Sequence, residues 1–293
     1  MTPPRRAETL GMALGFVGVA VFAATLPATR LAVTSLSPEF LTAARAAIAG
    51  LIAIPVLAAG GRAPPWRDFP KLGLSALCLA AGFPGFTGFA MRSLPAAHAG
   101  VVVAVLPLAT AVVAALIDRE RPSPAFWASA ILGAALVVGF ALRRGGGVLE
   151  GGDALLLLAV ACAALGYTWS AQLSRRMPAR DVISWIVVFA LPVSAPLSFA
   201  WRPADPAEVS ALAWACLLYL GAMSMYFGFF AWNAALALGG VARVSQVQLV
   251  QPFLTFALAA ALLGEAIDAE TAICAILAMA LVFAGRRLRV AAV

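Results

Sequence analysis

The sequence predicts an all-α polytopic membrane protein with ten transmembrane helices in two inverted five-helix repeats, and three observations predict it. Of 293 residues, 63% are hydrophobic and only 11% charged, with a mean hydropathy of +0.98, far from soluble globular composition. Apolar runs of about 20 residues, long enough to cross a hydrocarbon layer as helix, recur along the whole chain. An offset of 145 positions lays the later runs over the earlier ones.

The runs, spans 1 to 10 in chain order, have approximate limits 10–34, 39–60, 69–92, 96–117, 124–143, 153–174, 181–200, 208–236, 241–264 and 269–286. Short connectors rich in Pro, Gly and charge separate them, among them "GGRAPPWRD", "DRERPSP" and "SRRMPARD". None has room for a soluble domain. Span 1 follows "PPRRAE" as a secretory leader would, but it exceeds the usual apolar stretch of about 7–15 residues and reads as a retained helix.

A net charge of +7 is compatible with nucleic-acid binding, so the placement of the basic residues decides. With ten crossings, fourteen Lys and Arg fall on the side of the termini and five on the other, leaving Arg45 inside span 2. That asymmetry places both termini in the cytoplasm. The implied partner is a lipid bilayer, with no nucleic acid and no obligatory protein partner. Cys78, Cys162, Cys216 and Cys274 sit singly in apolar runs, without a C-x-x-C pair or a neighbouring His, and read as small core residues. No metal site and no cofactor is expected.

The 145-residue offset pairs Pro107 with Pro252 and Glu120 with Glu265. It also pairs Phe22, Thr25, Thr29 and Arg30 with Tyr167, Ser170, Ser174 and Arg175. Around spans 3 and 8 the glycines align only after a shift of several residues. Residues 1–146 and 147–293 therefore read as two copies of one unit, joined by "RRGGGVLEGGD". Because five crossings is an odd number, the second copy enters the membrane upside down. Inverted repeats of this kind place a substrate site near the midplane where they meet.

Two five-helix halves, a proline in spans 4 and 9 followed by a glutamate at the helix end, and Arg45 in "FLTAARAAIAGL" resemble the EamA family of the drug/metabolite transporter superfamily. The resemblance covers nearly the whole chain. It implies export of metabolites such as amino acids across a bacterial inner membrane, and within the family the chain looks most like the YddG-type aromatic amino-acid exporters. It departs from the pattern in span 7, which has no arginine matching Arg45, and in the contexts "DRERP" and "LLGE" of the two glutamates.

Candidate substrate-binding residues follow from polarity in apolar runs. Gln248 and Gln251 recur with Ser245 and Thr255 on one helical face of span 9, with Gln246 offset from it. Glutamine amides suit a carboxylate or ammonium without adding charge. Helix-to-helix hydrogen bonding explains the same face equally well. Thr25, Tyr167 and Ser170 belong to the stripe repeated in spans 1 and 6. Phe83, Phe86, Tyr226, Trp232 and Trp169 could hold a flat apolar substrate, or simply pack. His98, the sole histidine, opens span 4 and is a candidate polar contact at the cavity mouth. Pro107 and Pro252 withhold a backbone donor from the carbonyls four residues earlier, and with Gly85 and Gly88 they are candidate hinges.

No carboxylate sits deep in a span, where it would cost about 2.5–3.5 kcal/mol on insertion scales. This argues against proton-driven exchange of cationic drugs. No nucleophile–base pair, paired acids or metal cluster supports an intramembrane enzyme. The expected function is a secondary transporter exporting neutral, mainly aromatic amino acids by alternating access. Purines, threonine, methionine and small drugs remain alternatives on the same fold.

Overall fold

The computed structural model describes residues 5–117, 124–144, 150–174, 176–239, 247 and 250–287. Nearly all of these residues are helical. Span 1 comprises α1 (Arg5–Ala23) and α2 (Thr25–Ala32), and span 2 is α3 (Pro38–Ala58). Span 3 runs through α4 (Phe69–Ala76) and α5 (Phe83–Ala90), span 4 through α6 (Ala96–Val103) and α7 (Leu106–Ile117), and span 5 is α8 (Pro124–Arg144). In the second half, α9 (Gly151–Ser174) and α10 (Ala179–Ala200) are spans 6 and 7. Span 8 runs through α11 (Ala211–Leu218) and α12 (Gly228–Gly239). The described parts of spans 9 and 10 are α13 (Gln251–Leu263) and α14 (Ala269–Arg287). Seven of these segments are long and apolar enough to cross a membrane by themselves among the described residues. The remaining three are shorter apolar helices in the positions of spans 5, 9 and 10, which makes a multi-pass membrane protein of about ten helices.

The packing carries the signature of a pseudo-two-fold axis. Spans 2 and 7, 4 and 9, and 5 and 10 pack on their own repeat mates. Span 1 lies against spans 8 and 9, and correspondingly span 6 lies against spans 3 and 4. Each half therefore buries its apolar faces on the other half. The ends agree with alternating crossings. Ties between connectors gather Gly60, Arg62, Asp68, Arg176 and Asp181 at one end. Ala96, Ala97, His98, Asp153 and Glu265 meet at the other.

Helix ends follow local chemistry. Ser37 and Ser210 accept from the amides three residues on and start spans 2 and 8. Gly264 takes the left-handed conformation, φ 67°, that ends α13, with Gly264 N–H donating to Ala260 and Glu265 N–H to Ala259. In α2, Pro27 withholds the N–H that would bond Ala23, and the Thr255 hydroxyl of span 9 donates to that carbonyl instead, at 3.0 Å. Thr255 is thus committed to a neighbouring helix.

Spans 3 and 8 depart from α geometry, and they do so at equivalent places. A π-helical stretch covers Leu77–Gly82 in one and Tyr219–Phe227 in the other, and their last residues are 145 positions apart. Their first residues are 142 positions apart, so the repeat register is disturbed within spans 3 and 8, where the glycine spacing also departs from it. The backbone remains helical through Gly85 and Gly88, which sit beside Thr42 and Pro38 of span 2; the change of winding comes before them. Span 4 is interrupted between Val103 and Leu106, immediately ahead of Pro107, and α13 begins one residue before Pro252. Both sequence prolines thus stand at helix starts.

Candidate functional site

A cavity of about 60 Å³ lies between the two halves, walled by residues of spans 1, 2, 3, 4, 6, 8 and 9. From the first repeat come Phe22, Thr25 and Leu26 of span 1, Arg45 of span 2, Leu79 and Phe83 of span 3, and Val103 and Leu106 of span 4. The second repeat contributes Tyr167, Ser224, Met225, Phe229 and Gln251. Leu79, Ser224 and Met225 stand on the π-helical stretches, so the unusual winding sets which residues face inward.

Three pairs of repeat mates share this lining: Phe22 with Tyr167, Leu79 with Ser224, and Leu106 with Gln251. The pseudo-two-fold axis therefore passes through the cavity. In each pair the first repeat supplies hydrocarbon and the second a hydroxyl or amide. The walls are amphipathic as a result. Phe229 sits between the mates Phe22 and Tyr167, edge-on to both, with centroids 5.0 and 5.7 Å away.

The polar floor is a chain of three side chains. Thr25 Oγ1 and Ser224 Oγ share a hydrogen bond at 2.8 Å, and Arg45 donates from Nη2 to Ser224 Oγ at 3.4 Å. All three are buried, Arg45 to 3% exposure, yet Arg45 Nε and Nη1 have no partner among the described residues. Arg45 does not snorkel to an interface; it is held at the cavity. None of the described lining residues is acidic.

Of the sequence candidates, Thr25, Phe83, Tyr167 and Gln251 come together on this cavity. Gln246 and Gln248 lie outside the described residues, as does Glu120. Tyr226 is fully buried away from it, its hydroxyl bonded to Ser184 at 2.8 Å and its ring against Phe227 and Phe230. The π winding explains the correction, since the extra residue per turn brings Ser224 and Met225 to the front instead. Trp232 stands behind Phe22 with centroids 6.5 Å apart and packs on Val19 and Ala235. Trp169 and Ser170 are half-buried on span 6 and outside the lining; Trp169, two residues from Tyr167, points to another face of the helix. Phe86, one turn beyond Phe83, is half-buried and also outside it.

His98 is likewise away from the cavity mouth. Its Nε2 is 2.7 Å from Asp153 Oδ1, both side chains are buried, and its ring lies tilted against Phe140, with centroids 5.0 Å apart. The pair ties span 4 to span 6 at the end of the bundle. Close by, the Glu265 carboxylate accepts from the Ala96 and Ala97 amides at 2.8 Å each, so the motif glutamate of the second repeat caps a helix of the first.

Sequence reasoning did not single out Ser224, Leu79, Met225 or Phe229. The 145-residue offset could have found the first two, as mates of each other. Cys78 and Cys162 also prove to be neighbours across spans 3 and 6. A Cβ on Gly82 would stand 2.7 Å from Cys162 Sγ, and one on Gly166 would stand 3.2 Å from Cys78 Cβ, so two Cys-x-x-x-Gly stretches interlock.

Comparison with known proteins gives the same picture. The model of the EamA-like transporter family matches residues 9–142 and again 150–284. The chain is 44% identical over 258 residues to a Bacillus subtilis (strain 168) protein named "Uncharacterized transporter YdeK", covering 88% of this chain and 90% of that one. It also resembles a solved structure, titled "Crystal structure of protein", with a TM-score of 0.63 at 25% identity over 95% of this chain and 97% of the other. A cavity on the axis of a duplicated membrane bundle, matched in both halves by one family, leaves a single conclusion: the chain belongs to the EamA-like transporter family of the drug/metabolite transporter superfamily and is a transporter, not an enzyme.

Proposed function

We propose that the protein exports neutral, mainly aromatic amino acids across a bacterial inner membrane by alternating access, with both termini in the cytoplasm, in the manner of YddG-type exporters. The observation that carries this reading is the two-faced cavity on the repeat axis. The rings of Phe22, Phe83, Tyr167 and Phe229 suit a flat apolar side chain, and Thr25, Ser224 and Gln251 supply hydroxyls and an amide for a polar end. The positive-inside asymmetry supports the orientation.

At about 60 Å³ the cavity is smaller than the roughly 300–1,000 Å³ of ligand pockets, so binding requires the walls to part. The irregular helices around Gly82, Ala104 and Phe227 are places where the backbone can yield at low cost, with Pro107 at one of them, and Pro252 stands at the start of α13.

Counterflow tests the reading. Liposomes containing purified protein and loaded with unlabelled phenylalanine should accumulate labelled phenylalanine above protein-free liposomes. Absence of accumulation with folded protein would remove phenylalanine as cargo and turn the assay to purines, threonine, methionine and drugs.

A further inference from the structure

Arg45 poses a problem that the fold alone does not solve. A guanidinium has five N–H donors, and this one, 3% exposed in the first half of α3, makes among the described residues a single long hydrogen bond, to Ser224 Oγ at 3.4 Å. Nε and Nη1 are buried without a partner among the described residues. Among the described residues the ion pairs join His98 to Asp153, Arg143 to Glu270, Arg176 to Asp68 and Arg180 to Asp181, and none reaches Arg45. An arginine cannot escape this position by losing its proton, and an uncompensated buried charge is among the most costly arrangements a protein holds. Its repeat mate is Ala190, so the symmetry of the fold does not demand it.

Arg45 borders the cavity, and its neighbours Thr25 and Ser224 border it too. We infer that Arg45 anchors a carboxylate of the cargo, so that the substrates are molecules with a flat apolar body and one carboxylate at its end. A planar carboxylate matches the fork formed by Nε and a terminal nitrogen, and it satisfies the donors that the empty protein leaves unpaired. Thr25 and Ser224 can each turn a hydroxyl toward its second oxygen. The rings of Phe22, Phe83 and Phe229 then receive the apolar body, and Gln251 faces the substituents between. Amines without a carboxylate and uncharged heterocycles leave the guanidinium unpaired and are rejected on that account. The role of Arg45 rests on the carrier reading only in that the bound molecule is also moved.

The test is binding by purified protein in lipid nanodiscs, read by calorimetry and by ligand-induced shift in Tm. Phenylalanine, 3-phenylpropionate and phenethylamine are compared on the wild type, Arg45→Lys and Arg45→Met. At least one of the two carboxylates should bind and phenethylamine should not; an ammonium requirement shows as phenylalanine binding without 3-phenylpropionate. Arg45→Lys, which keeps the charge and loses the fork, should weaken the carboxylate at least about tenfold. Arg45→Met should abolish the ligand-induced shift while leaving the unliganded Tm unchanged or higher, because it removes an unpaired charge. A purely structural arginine predicts the reverse, a lower Tm with binding intact in the folded fraction, and that result overturns the anchor. Equal binding of phenethylamine overturns it as well, as does a folded wild type that binds neither carboxylate. Carboxylate binding without counterflow would reject the carrier reading and keep the anchor; counterflow of a cargo lacking a carboxylate would do the opposite.

Discussion

Phe22 and Tyr167 stand 145 residues apart and meet the same ring, Phe229, at nearly the same angle, 61° and 62° between planes. Two copies of one helix position have converged on a single aromatic of the second repeat, across the axis that relates them. Phe229 is therefore the cavity's shared wall. Replacing it with Ala removes both edge contacts, worth about 0.5–1.5 kcal/mol each beyond burial. Phe229→Ala should lower the Tm by a few degrees and raise the concentration of aromatic cargo giving half-maximal counterflow about tenfold, while an alanine at exposed Phe199 changes neither.

Gln251 occupies the position that Leu106 holds in the first repeat. Gln251→Leu gives both halves the same hydrocarbon and removes the amide from the cavity. Folding should be unaffected. Counterflow of amino acids should fall at least about tenfold, the scale of one lost hydrogen bond to a charged group. Unchanged transport kinetics would take Gln251 out of the site.

Pro27 and Thr255 form a compensated pair, a missing donor and its substitute at the Ala23 carbonyl. Thr255→Val should cost about 0.6–2 kcal/mol in unfolding experiments. In a Pro27→Ala background, where residue 27 can donate to Ala23 itself, the same change should cost little. The double-mutant cycle measures the coupling, and strictly additive effects would break the link between the two residues.

Glu265 caps α6 from the opposite half of the molecule. Glu265→Ala leaves two amides at the helix start without their acceptor and should destabilise the protein by about 0.5–2 kcal/mol in thermal unfolding. Glu265→Gln, which keeps one good acceptor and loses the charge, should fall between the two.

Cys78 and Cys162 lie side by side where spans 3 and 6 cross. With Cys216 and Cys274 replaced by Ala, a short thiol cross-linker should join the pair within one chain. Cross-linked protein should stop counterflow, and reduction of a cleavable linker should restore it. Full activity after complete cross-linking would mean that these spans do not separate during transport.

Much of this molecule was legible because membrane helices write themselves in bulk composition. The limits of span 2, 39–60, differ from Pro38–Ala58 by one or two residues, since apolar length and a Ser-Pro cap fix both ends. The repeat was visible in Pro107 and Pro252 because proline leaves no choice of backbone. What stayed hidden is what depends on winding and on distant partners. Tyr226 reads from the sequence as an aromatic of a glycine-rich span that could hold a flat substrate, but its hydroxyl is bonded to Ser184 while Ser224, on the π-helical stretch, lines the cavity. His98 carried no trace of Asp153, 55 residues on, which occupies it. Arg45 was conspicuous in the sequence, whereas its lack of a partner became visible only when its neighbours were in place.

The mismatched mates Phe22 and Tyr167, Leu79 and Ser224, and Leu106 and Gln251 bear on equilibrium as well as on recognition. If both halves were identical, the inward-facing and outward-facing forms would be related by a two-fold rotation about an axis in the membrane plane, and in a symmetric bilayer neither could be favoured. Each unequal pair lifts that degeneracy, because opening one side wets a hydroxyl or amide where opening the other wets a leucine or phenylalanine. In a carrier that alternates between the two openings these six side chains would bias the empty state, and a difference of about 1.4 kcal/mol between the openings would hold roughly nine molecules in ten facing one way.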